Sequence, residues 1–177
     1  MISKGNITCI PEKDSSKRFL IGKSGHKELL AIGLNPSTAN EYNLDPTSRN
    51  IEIIAEKNGC DGWWLVNLFP KRTSKPANLP KRNNTSLSDK NIAFINDLLH
   101  DKNYNFSKVI CCWGNHINDY PYLKVQAQKI TNLIAKSGHK CHCIGLTSSG
   151  NPYHPAPMPV NRFLGGINNV TLKEFSP

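Results

Sequence analysis

The stretch Glu28-Leu29-Leu30-Ala31-Ile32-Gly33-Leu34-Asn35-Pro36-Ser37 decides the fold. After Glu28 it is continuously apolar as far as Leu34, the pattern of a short strand covered on both faces. It then stops on an amide and a proline. Pro36 removes a backbone donor and fixes φ, so the strand ends there. Three later stretches end in the same manner. Residues 63–69 are apolar on both parities apart from Asn67 and close in Asn67-Leu68-Phe69-Pro70. Residues 108–113 close in Trp113-Gly114-Asn115-His116, and residues 141–146 in Gly145-Leu146-Thr147, which runs on to His154-Pro155.

Helical patterns separate these runs. Asp45 is placed to cap a helix whose first residue is Pro46, where no backbone N–H is needed. Ile51, Ile54 and Ala55 then recur at helical spacing, and Gly59 stops the helix. Ser86 with Asp89 opens a second helix with Ile92, Ile95, Leu98 and Leu99 on its apolar face. Pro121 starts a third, with Val125, Ile130, Leu133 and Ile134 inside and Gly138 after its end. Strands alternating with helices predict an α/β fold: a three-layer α/β/α domain with a central four-stranded parallel sheet. Residues 7–10 and 18–21 are expected to pair as a hairpin, an N-terminal extension within residues 1–27. Residues 170–175 are expected to add a terminal strand. One domain spans 1–177, with no internal repeat. The parallel arrangement puts all four strand endings on one edge, where open α/β sheets bind their ligands.

Size and composition fit this architecture. A chain of 177 residues can bury a proper core, and hydrophobic residues make up 38% of it. No apolar run approaches the length of a membrane span. The first six residues have no apolar core and no small-residue cleavage site, so they do not read as a signal peptide. A cytoplasmic protein is the expectation. The six cysteines include Cys111-Cys112 and Cys141-x-Cys143 on predicted strands, where free thiols pack as small hydrophobes. There is no CxxC pair and no complete zinc-ligand spacing. The formal net charge is +9, from 22 Lys+Arg against 13 Asp+Glu. A positive field attracts polyanions and speeds their encounter. The charge is sharpest between Lys71 and Arg82, which also holds Arg72, Lys75 and Lys81, with Pro76 and Pro80 and no acid.

Each ending has a structural and a functional reading. Asn35 caps the backbone of a turn, or holds an amide in the crevice whose carbonyl accepts from water. Asn67 satisfies neighbouring backbone, or reads a planar base edge with its donor and acceptor. Trp113 covers the sheet end, or offers a stacking surface beside Gly114, which lets backbone come close to a ligand. His154 sits among Pro152, Pro155, Pro157 and Pro159, a loop stiff enough to fix an imidazole in space. Asp45 is a cap by default, and becomes a candidate general base if its loop folds over the crevice.

At Gly33-Leu34-Asn35-Pro36 and His154-Pro155-Ala156-Pro157 the chain resembles the uracil-DNA glycosylase superfamily, above all its single-strand-selective and mismatch-specific branches. Those families place a G-x-N-P motif after the first strand, an Asn near the end of the second and, in the former, H-P-S-P after the last. Asn67-Leu68-Phe69-Pro70 is similar to their N-x-x-P pattern. A more specific likeness runs through residues 35–39, 45–47, 66–73, Trp113-Gly114 and 145–155. There the chain resembles an uncharacterised bacterial and phage family, domain of unknown function sixteen-forty-three. That family brings no established activity.

The glycosylase resemblance implies hydrolysis of an N-glycosidic bond at a modified or deaminated base, as in DNA repair. The partner is DNA, single strands included, or a nucleotide. Asn35 then orients the attacking water and His154 donates to the departing base. Asn67 reads the base edge, and Phe69 or Trp113 stacks on it. Ser37, Lys71, Arg72 and Lys75 hold phosphates. No metal or organic cofactor, membrane or obligate protein partner is called for. Two alternatives stand beside this expectation. One is a non-catalytic module of the same fold that binds nucleic acid or a nucleotide. The other is a small-molecule hydrolase or transferase whose basic loop binds free phosphate.

Overall fold

The structure, a computed structural model, describes residues 6–177; the signal-peptide reading of the first residues falls, for residues 1–5, outside the described residues. Seven strands and four α-helices follow one another in this part of the chain. They are β1 (Thr8–Ile10), β2 (Leu20–Lys23), β3 (Glu28–Gly33), α1 (Pro46–Lys57), β4 (Gly62–Asn67), α2 (Thr85–His100), β5 (Phe106–Cys111), α3 (Pro121–Lys136), β6 (Cys141–Cys143), α4 (Pro157–Phe163) and β7 (Lys173–Glu174).

The strands form one mixed sheet in the order β1-β2-β4-β3-β5-β6-β7. β4, β3, β5 and β6 pair in parallel, while β1, β2 and β7 join antiparallel at the two sides. The expected four-stranded sheet is therefore corrected to a seven-stranded mixed one. The N-terminal hairpin does form, but β2 also pairs with β4, so the hairpin extends the main sheet. At the other side β6 keeps only three residues, because the chain leaves the sheet at Ile144. The C-terminal segment then covers its edge with β7, which limits the exposed pairing groups that an edge strand presents.

Alternation along the strands sends side chains to two cores. Leu30, Ile32, Trp64, Val66, Val109 and Cys111 pack with Ile95 and Leu98 of α2 and Ile130 and Ile134 of α3. Leu29, Ala31, Trp63, Leu65, Ile110 and Cys112 pack with Ile51 and Ile54 of α1 and Val160 of α4. Two local expectations need correction. Asn84, rather than Ser86, caps α2, its side chain accepting the N–H of Leu87 at 3.1 Å. Val125 faces solvent, because Leu123, Ala127, Ile130 and Ile134 set the buried stripe of α3 and Val125 lies off it.

The register fixes where the strands end. Gly33 stands opposite Asn67, and Ile32 opposite Cys111. Backbone bonds from Leu68 to Gly33, Phe69 to Leu34 and Cys112 to Ile32 carry the pairing just past these residues. The segments bearing Asn35, Asn67 and Trp113 therefore leave the sheet at one level and on one edge.

Candidate functional site

His154 stands on this edge in a loop held at several points. Gly114 N–H donates to Pro152 O, and Tyr153 N–H to Gly145 O, so the loop is pinned to the ends of β5 and β6. Gly114 has φ +75°, and a Cβ there would lie 3.1 Å from that of His154. Glycine is thus required both by conformation and by the close approach of the imidazole-bearing backbone. From the opposite face, Asn50 of α1 donates to Pro155 O at 2.7 Å. Within the loop, His154 Nδ1 lies 3.2 Å from Ala156 N and accepts its N–H. Burial lowers the His154 pKa to about 4; the Asp45 carboxylate opposes this and His116 adds to it. The ring is therefore neutral at pH 7, with its proton on Nε2.

Asp45 caps α1 as its sequence predicts, accepting Ser48 N–H at 2.8 Å through one oxygen. The other faces the N–H of Ala39 at 3.4 Å. Both oxygens are occupied by backbone donors, so the bonding gives the general-base role no support. What Asp45 adds is charge, felt by both His154 and Arg18.

Asn35 spends both amide hydrogens on backbone, donating to Pro36 O at 3.0 Å and Thr73 O at 2.8 Å. It joins the first strand ending to the basic loop. Among the described residues no protein group donates to its Oδ1. Arg72 makes the same join from the other side, donating through Nη1 to Ser37 O at 3.0 Å and Ala39 O at 2.9 Å. Buried Arg18 also donates to Ala39 O, at 2.8 Å, and burial with the neighbouring Arg72 lowers its pKa to about 10. Arg72 is thus a tie within the protein first, which corrects its assignment as a free phosphate grip. Lys71 and Lys75 are exposed and keep their charges outward. Tyr120 and Tyr122 donate to Pro76 O and Pro80 O, so the basic loop is held along its length.

Asn67 is buried at the end of β4 and packs over Gly33. Asn91 of α2 donates to Asn67 O at 2.8 Å and Leu68 O at 3.3 Å, fixing the strand end beneath it. The Nδ2 of Asn67 has no partner among the described residues, an unusual state for a buried donor. Phe69 and Trp113 require correction. Phe69 is 0% exposed against Tyr122, and Trp113 is 4% exposed against Phe175. Both rings belong to the core and offer no face to a base.

The edge thus brings together His154, Asp45 and Gly114, and ties Asn35, Ser37 and Arg72 to the basic loop. Neither Arg18 nor Asn91 belongs to a motif; a cation just before a strand and an amide in a helix carry no local signal of their distant partners. Exposed Met158, one residue beyond His154-Pro155-Ala156-Pro157, was also missed, though an apolar residue after a proline-stiffened loop is a visible cue.

A family model described as protein of unknown function (DUF1643) matches residues 18–156. The chain belongs to this family. The match begins at buried Arg18 and ends at Ala156, so it contains every tie described above. No curated protein and no solved structure matches the chain. Among the described residues, no group of three or more His, Cys, Asp or Glu is placed to hold a metal ion, and no helix is long and apolar enough to cross a membrane.

Proposed function

We propose that this domain hydrolyses the N-glycosidic bond of a modified or deaminated base in DNA or a nucleotide, on a fold like that of the uracil-DNA glycosylases. The observation that carries this reading is the neutral His154, whose Nδ1 is occupied and whose Nε2 carries the proton. Breaking the bond between C1′ and the base nitrogen leaves its electron pair on the base. A fixed neutral donor beside the base oxygen stabilises that charge as it forms, and such a donor is typically worth about 3 kcal/mol. Water closes the new C1′–O bond and loses a proton, and the departed base gains one from solvent. Asn35 Oδ1, the free end of an amide otherwise tied down, accepts from that water. Asn67 reads the base edge through its unpartnered donor.

Such chemistry requires the base to leave its stack, at a cost of a few kcal/mol and less in single strands. Met158, 64% exposed beside the His154 loop, and Leu146, 52% exposed and paired with Pro152 of that loop, are apolar groups available to fill the gap. Lys71 and Lys75 on the anchored basic loop hold phosphates. Incubation with oligonucleotides carrying a panel of modified bases, followed by an abasic-site assay, tests the proposal. Abasic product from any of them supports it.

The second reading is a nucleic-acid or nucleotide-binding module without chemistry. The exposed Lys71 and Lys75, which can hold phosphates whether or not a base is handled, fit it. Salt-sensitive binding with no abasic product across the panel selects this reading.

A further inference from the structure

Tyr153, the residue before His154, begins a short ladder of stacked groups. Its N–H donates to Gly145 O, and its ring lies so close to Gly145 that a Cβ there would meet it at 3.4 Å. The Phe163 ring, at the end of α4, stacks on Tyr153 with centroids 5.7 Å apart and planes inclined by 21°. The Arg162 guanidinium lies 5.3 Å from the Phe163 centroid. One end of the ladder is therefore seated in the protein. The other stands in water, since Phe163 is 54% exposed and Arg162 is exposed beside it. A single exposed apolar side chain is ordinary. Here Leu146 and Met158, next to the same loop and at the start of the same helix, are exposed as well. Acids are also missing from the segments that frame this edge. Residues 120–173, which hold the ladder and His154, contain no Asp or Glu, and neither do residues 62–88, which hold the basic loop. All 13 acids of the chain lie outside these two stretches.

We propose that the Tyr153–Phe163–Arg162 ladder is the stacking platform for an unpaired nucleotide of a single strand, whose base forms the next rung and whose phosphate meets the guanidinium edge. Stacking on an aromatic ring or a guanidinium plane is how unpaired bases are held, and it tolerates any base because every base has a π-face. Arginine suits both halves of a nucleotide, as a plane for the base and a set of donors for phosphate. A duplex cannot use the platform in this way, because its bases are already paired and stacked on one another. The absence of carboxylates on both framing segments removes the like charge that would repel a strand and leaves Lys71, Lys75 and Arg162 to attract it. Tyr153 adjoins His154 in the chain, so the nucleotide on the ladder is a neighbour of the target base. In that respect the inference rests on the proposed function, and it makes single strands the substrate class.

The test uses binding alone, so it succeeds or fails whether or not the protein cleaves anything. A short fluorescein-labelled thymidine oligonucleotide, alone and annealed to its complement, is titrated with the full chain at fixed salt and followed by anisotropy. The wild type should bind the single strand more tightly than the duplex. Phe163→Ala should weaken the single strand about tenfold, the scale of one base–aromatic stack, and leave the duplex nearly unchanged. Phe163→Leu separates stacking from packing: it should keep the thermal midpoint of the wild type and still bind like the alanine variant. Phe163→Trp should restore or tighten binding. Arg162→Gln should weaken binding and lower the single-strand salt slope by about 0.7, the share of one phosphate. No binding of the single strand, wild-type affinity in Phe163→Ala, or an equal loss for strand and duplex would overturn the assignment. So would wild-type affinity in Phe163→Leu. A chain that sediments as a dimer and becomes a monomer in Phe163→Ala, with strand affinity unchanged, would give this surface to a second copy instead. An absence of base release in the abasic-site assay would overturn only the proposed function.

Discussion

His154 Nδ1 accepts the N–H of Ala156, two residues further along its own loop. This bond decides which nitrogen carries the proton. With Nδ1 occupied as an acceptor, the neutral ring has its hydrogen on Nε2 and can present only a donor outward. Burial keeps it in that state by penalising the cation, against the pull of Asp45. A loop of alternating prolines and a backbone bond thus convert a group that ordinarily titrates near neutrality into a fixed donor.

Stability should register this directly. The folded pKa of His154 is about 4, below its ordinary value of 6.5. Between these values the unfolded chain binds a proton that the folded chain does not, so stability rises with pH across that window. Acidification from pH 6.5 to pH 4 should therefore remove on the order of 2–3 kcal/mol through this group, the loss levelling off about one pH unit lower. Urea midpoints for the wild type and His154→Gln, measured from pH 4 to pH 8, provide the comparison. The difference between them should change across the window, and a constant difference would mean that His154 is not held neutral. Base release, if the neutral donor is the active form, should stay level through pH 6.5.

Asn35 separates structure from chemistry through two substitutions. Asn35→Ala removes the donors to Pro36 O and Thr73 O and should cost about 1–3 kcal/mol. Asn35→Asp sets a carboxylate against the same two carbonyls and should destabilise at least as much. It keeps an oxygen for water. Under conditions where both variants remain folded, the Asp form should retain base release and the Ala form should lose it. Equal rates would confine Asn35 to tying the loop.

The central architecture was legible because parallel strands buried on both faces are apolar on both parities, and because Asp45-Pro46 is a strong helix start. The sheet's true width was less so. Whether residues 18–21 merely fold back on residues 7–10 or also pair with β4 depends on a neighbour more than forty residues away. The candidate site divided along the same line. Asp45 is local and was read as a cap. The stacking role expected of Phe69 fails, and for Trp113 the alternative of covering the sheet end holds, because an aromatic at a strand end looks the same whether it faces a crevice or a core. Tyr122 and Phe175, which bury them, come from distant parts of the chain. Arg72 looked like its basic neighbours, and only the carbonyls of Ser37 and Ala39 distinguish it.

That distinction predicts different responses within the basic loop. Lys71→Ala and Lys75→Ala should leave the fold intact and together reduce the salt slope of single-strand binding by about 1.4, at ~0.7 per neutralised phosphate. Arg72→Ala should instead lower the thermal midpoint, because it releases the loop before α1 from the basic loop. A salt slope unchanged in the double lysine variant would make that surface a solvated face. An Arg72→Ala protein as stable as the wild type would show that its carbonyl contacts contribute little.

The last prediction concerns how the target base is chosen. Gly33 and Asn67 face each other across β3 and β4, and a Cβ on Gly33 would lie 2.7 Å from Asn67 Oδ1. Gly33→Ala therefore has to displace the Asn67 amide, while Asn91 continues to hold the backbone below it. If Asn67 reads the base edge, Gly33→Ala and Asn67→Ala should both relax base choice, through a smaller ratio of kcat/KM between preferred and competing bases. His154→Ala should act differently, lowering kcat by about 10²–10³ with little change in that ratio, as expected for a donor used only in the transition state. Single-turnover release from a matched pair of oligonucleotides measures both quantities. If base choice is untouched in Asn67→Ala, the unpartnered amide is a packing feature and the reading of the base lies elsewhere. Wild-type release by His154→Ala would remove the chemistry from this edge altogether.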